Sequence, residues 1–124
     1  MKFHLTQSNG KQLITGYSEE WVAINNKKYF DNLIVTPDEV LENWEVKDFD
    51  SLQIQSFQSL QIIKPELVLL GTGSIHRFIH PRIISALTAS NIPVECMKTN
   101  AACRTYNILM AEGRLVAAAL ILKD

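Results

Sequence analysis

The run Leu67-Val68-Leu69-Leu70-Gly71-Thr72-Gly73 decides how this chain of 124 residues folds. Four apolar residues in a row, ending in a glycine-bounded turn, are the pattern of a strand buried on both faces that leads into a loop. The residues after it fit that reading. Pro81 suits the first turn of a helix whose apolar stripe is Ile83, Ile84 and Leu87, and Asn91 ends that helix. Residues 92–97 read as the next strand. Thr99 is placed to cap a helix over residues 100–112, in which Ala102, Tyr106, Leu109 and Met110 lie near one face. Gly113 stands where a left-handed residue closes a helix, and residues 114–122 form the last strand. Strand, helix, strand, helix, strand with short links is an α/β arrangement.

On the other side of Pro65 the texture changes. Short strand-like runs at residues 2–5, 13–17, 21–24 and 33–36 are separated by turn formers such as Ser8-Asn9-Gly10 and Asn25-Asn26. Asn25-Asn26, between Ile24 and Lys27-Lys28-Tyr29, predicts a hairpin with a tight turn. Residues 56–63 read as a helix stopped by Pro65, with Phe57, Leu60 and either Gln61 or Ile63 on one face. Leu52, Ile54 and Ser56 also fit a strand, which leaves the start of that helix open. The expectation is one α/β domain over residues 1–124, an N-terminal β-hairpin region packed with a β-α-β-α-β C-terminal half.

Composition sets the bounds on function. Hydrophobic residues make up 47% and charged residues 20%, which excludes a disordered or coiled-coil chain. The net charge of −1 offers no global field for nucleic acid, and aromatic residues are not interleaved with the bases. The longest apolar runs, residues 67–70 and 115–122, fall far short of the ~20 residues that a membrane helix needs, so no membrane insertion is expected. The start, MKFHLTQSNGKQ, turns polar by Thr6 and lacks the apolar region of a signal peptide, which points to the cytoplasm. Charge is unevenly spread. Residues 31–66 carry eight acids against Lys47 and Lys64, while residues 71–104 carry Arg77, Arg82, Lys98 and Arg104 against Glu95 alone. These are either solvated faces or an interaction surface.

Chemistry-bearing motifs are few. Gly71 and Gly73 start a dinucleotide fingerprint, but His76 occupies the third glycine position, and Glu95, 24 residues after Gly71, is weak support alone. No cofactor is indicated. A second candidate is an anion pocket where two neighbouring strands end, made by Gly71, Thr72, Gly73, Ser74, His76, Arg77, Lys98 and Thr99, with Arg104 nearby. There the helices starting at Pro81 and Asn100 would both offer free N–H groups and positive partial charge. The plainer account is a tight glycine turn beside solvated bases. His4, His76 and His80 lack partnering carboxylates, so no metal site is expected, and no nucleophile sits in a known catalytic signature, so no catalytic residue is assigned. Cys96 and Cys103 are expected to be reduced structural residues; the rival is a reactive Cys103 at a helix start beside Arg104.

The ordered set LLGTG (69–73), VExMxT (94–99), TYNxL (105–109) and EGR (112–114), with Tyr29, Asn32 and Trp44 as looser landmarks, resembles the Mth-type domain family of unknown function. That family includes a respiratory complex I assembly factor of mitochondria and an adipogenesis-associated protein. The resemblance implies a compact three-layer α/β fold with a mixed sheet beside a β-hairpin region, and no generally established activity or cofactor. It singles out Glu95, Thr105, Tyr106, Asn107, Glu112 and Arg114 beside the glycine loop. Glu95 and Arg114 have no local explanation, and if their strands neighbour each other they would pair across the sheet. The start of the chain shows no mitochondrial presequence, which fits a bacterial member. The functional expectation is a non-enzymatic interaction domain with an unidentified protein partner, aiding assembly or stability of a respiratory or other complex. The alternative is an anion-binding or catalytic pocket beside the glycine loop. A homo-oligomer stays open.

Overall fold

A computed structural model describes residues 10–122. The strand expected at residues 2–5, with His4, and the turn residues Ser8 and Asn9 lie outside the described residues. Along the chain come β1 (Ile14–Tyr17), β2 (Val22–Ile24), β3 (Lys27–Tyr29), β4 (Leu33–Val35), β5 (Val40–Leu41), α1 (Gln58–Ile63), β6 (Leu67–Gly71), α2 (Pro81–Ala89), β7 (Val94–Met97), α3 (Thr99–Ala111) and β8 (Val116–Leu120).

β1, β2 and β3 form an antiparallel three-stranded sheet. Its β2–β3 turn is the expected tight one: Asn25 and Asn26 have φ of 50° and 70°, the left-handed pair that a two-residue hairpin demands and asparagine tolerates. The second sheet has the order β5-β4-β8-β6-β7. β6 runs parallel to both β7 and β8, whereas β4 runs antiparallel to β8 and β5, so the sheet is mixed.

Strand side chains alternate between the two faces, and this builds the layers. On one face Leu33, Val35, Leu69, Val116, Ala118 and Leu120 meet Ala102, Cys103, Tyr106 and Met110 of α3, with Ile14, Val22 and Ile24 of the small sheet closing over them. On the other face Ile34, Val68, Leu70, Ala117, Ala119 and Ile121 meet Phe57, Leu60, Ile83 and Leu87, with Trp44 and Val46 from the coil after β5. Each fully buried Leu or Phe here contributes roughly 2 kcal/mol of apolar burial.

Several boundaries differ from expectation: the strand expected over residues 92–97 begins only at Val94, and two other differences have a clear local cause. The strand alternative at residues 52–56 gives way to a 3-10 turn, Ile54–Phe57, that runs into α1. Gln53 and Ser56 exchange reciprocal side-chain-to-backbone bonds that start this turn, and it carries Phe57 and Leu60 to full burial. The last strand is shorter than expected, because Gly113 (φ 84°) reverses the chain and pairing begins only at Val116.

Candidate functional site

Where β6 ends, it runs into the first turn of α3. A Cβ on Gly71 would lie 2.9 Å from both Cα and Oγ1 of Thr99 and 3.1 Å from Leu120 Cδ2, so only glycine lets the helix start this close to the strand. Thr99, the expected cap of α3, does not cap it. Its hydroxyl accepts from the Gly73 N–H (2.8 Å) and donates to the Ile121 carbonyl (2.7 Å), and its own N–H donates to the Gly73 carbonyl (2.9 Å). The nearness of two other segments wins over the local cap. Lys98 takes the cap position, and its ammonium, a donor only, caps nothing.

Thr72 is an internal strut. Fully buried, it donates from its N–H to the Met97 carbonyl (2.8 Å) and from its hydroxyl to the Ile75 carbonyl (2.6 Å), and it accepts from the Arg77 N–H (3.2 Å). A single buried hydroxyl therefore shapes the loop of residues 72–80.

Beside this junction lies a cavity of about 570 Å³, lined by Tyr17, Ser18, Glu19, Gly73, Ser74, Lys98, Thr99, Asn100, Ile121 and Leu122. It is not the pocket the sequence implies. Gly73, Ser74, Lys98 and Thr99 line it, while Gly71 and Thr72 are packed away from it. His76 instead lies against the Phe78 ring, with centroids 4.6 Å apart. Arg77 sits 5.5 Å above the Phe49 ring and 3.9 Å from Asp50. The start of α2 is not part of the cavity either: His80 Nδ1 accepts from the Arg82 N–H (3.0 Å), so α2 carries its own cap. Sequence reasoning missed Asn100, Ile121 and Leu122 as lining residues, and with them Tyr17, Ser18 and Glu19. The only local signal of the last three was a turn after a strand, and the pairing that carries them over the ends of β6 and β8 is long-range. Arg104 donates to the Tyr17 hydroxyl (2.9 Å).

The remaining motif residues sew α3 to the small sheet. The Tyr106 hydroxyl donates to the Gln12 carbonyl (2.6 Å). Asn107 accepts from the Ile14 N–H (3.0 Å) and donates to the Ile14 carbonyl (2.7 Å), acting as one more strand residue beside β1. Thr105 is half-buried, and Glu95 and Glu112 are exposed. Glu95 and Arg114 do not pair, because β6 lies between β7 and β8. Arg114 instead meets Glu66 at 3.3 Å, and Glu66 also accepts from the Leu115 N–H (3.1 Å). That N–H first, and then Arg114, holds the Glu66 carboxyl below its ordinary range.

Both cysteines are free thiols, on opposite sides of the five-stranded sheet. Burial pushes the Cys103 thiol up to about 12 despite the opposing charge of Arg104, which overturns the idea of a reactive thiolate there. Burial also raises Cys96. Among the described residues no three His, Cys, Asp or Glu side chains gather as metal ligands, and no helix is long and apolar enough to cross a membrane.

Comparison with known proteins shows what the chain and its fold are similar to. The mouse protein named NADH dehydrogenase [ubiquinone] 1 alpha subcomplex assembly factor 3 is 33% identical over 110 residues, 87% of this chain and 59% of that protein. The chain thus spans about three-fifths of the length of such relatives. A Francisella tularensis protein named 13 kDa major membrane protein is 29% identical over 99 residues, covering 79% of this chain and 80% of the relative. A solved Bordetella pertussis structure described as a Mth938-like domain superposes with a TM-score of 0.78 at 27% identity, covering 94% of this chain and 87% of that one. Residues 14–121, nearly all of the described structure, match the family described as protein of unknown function (DUF498/DUF598), and the chain belongs to that family.

Proposed function

We propose that this chain is a non-catalytic binding domain that assists the assembly or stability of a respiratory complex. The observation that carries the reading is the likeness, over 87% of the chain, to proteins named as assembly factors for NADH dehydrogenase. The side chains behind the resemblance support it. Thr72, Thr99, Tyr106 and Asn107 are spent on holding the fold together. The opposed acidic and basic stretches then supply the surface for a protein partner, with the cytoplasm as a compartment that suits two unpaired thiols. The test is deletion of the gene in the organism that encodes it, followed by native gels stained for NADH dehydrogenase activity. We expect less assembled complex and more subcomplexes, restored by the wild-type gene. Unchanged assembly in the deletion strain would remove the reading.

A second reading rests on the cavity beside Lys98, where the first turn of α3 has no side-chain cap and could hold a small anion. A thermal-shift panel of phosphates, nucleotides and carboxylates decides it. A ligand at 100 times its Kd stabilises by about 2.7 kcal/mol, a shift of roughly ten degrees in a domain of this size. No shift with any of them removes this alternative.

A further inference from the structure

We draw no further inference here: the strongest candidate, the cavity between the turn after β1 and the first turn of α3, belongs to the site already described, and among the described residues no buried, unpartnered polar side chain stands beside that open helix start to say which ligand it would hold.

Discussion

The two faces of the five-stranded sheet are covered by different means. On the α3 face the cover is sewn on: Tyr106 and Asn107 reach from the helix to the backbone of Gln12 and Ile14, and Thr99 fixes the helix start to Gly73 and Ile121. On the opposite face Phe57, Leu60, Ile83 and Leu87 rest on the sheet through apolar burial, with Asn32 and Trp44 fixing the coil after β5 by bonds to the carbonyls of Val46 and Ser56. Apolar packing fixes that a helix sits on a sheet, and tolerates changes of volume-matched side chains. Directed bonds to backbone fix where it sits. One of the motifs that carry the family resemblance, TYNxL, lies on the sewn face, while the loop that projects Ile75 and Phe78 leads into α2 on the packed one.

The largest test of this contrast is alkali. Cys103 keeps its proton to about 12 when folded, against an ordinary value of 9.0, so the unfolded chain binds fewer protons between those values. Its contribution is fully present below pH 9 and is lost as pH rises toward 12, about 4 kcal/mol at the far end of that window. Tyr106 on the same face is also raised, by burial first and then by Asp38, and adds to the loss above pH 10. Denaturant melts from pH 7 to 11 should therefore show falling stability, and Cys103→Ala should flatten the fall. A Cys103→Ala curve parallel to wild type would show that the sewn face does not hold its thiol as described.

Leu87→Ala should cost about 3 kcal/mol, since it empties a fully buried site on the packed face. Hydrogen exchange should then rise across the whole sheet, because apolar packing there is shared by every strand. Asn107→Ala should cost about 2 kcal/mol, from the two Ile14 backbone groups left without this partner. Its exchange pattern should differ: faster amides in β1 to β3, with β6 and β7 protected. Identical patterns from the two variants would erase the distinction between faces. The smallest effect belongs to Glu66→Gln. The Glu66–Arg114 pair is half-exposed, and its loss should leave the melting temperature within experimental scatter at neutral pH.

Much of the central sheet was legible because its periodicity is local. The run at residues 67–70, the stripe of Ile83 and Leu87, and the asparagine pair at the β2–β3 turn each announce their element within a few residues. The site was less legible because its partners are remote. Asn107 bonds Ile14 and Tyr106 bonds Gln12, more than ninety positions away, so Asn107 looked like a motif letter and Tyr106 like a core residue alone. Thr99 has the composition of a cap, and only docking against Gly73 and Ile121 redirects its hydroxyl. Glu95 and Arg114 looked like partners until the strand order put β6 between them. Arg77 and His76 looked like pocket residues because nothing in the sequence says which way a loop turns once Thr72 has pinned it.

β8 lies between β4 and β6, yet it is made after both. During synthesis the ribosome therefore delivers two incomplete half-sheets, β5-β4 and β6-β7, whose shared edge arrives last. Until Val116–Leu120 emerges, each half exposes an unpaired strand edge flanked by apolar surface, the condition under which nascent chains meet chaperones or one another. Folding is thus timed by the delivery of five residues, and a chain cut before Val116 would lose the join between its halves rather than a strand from its margin.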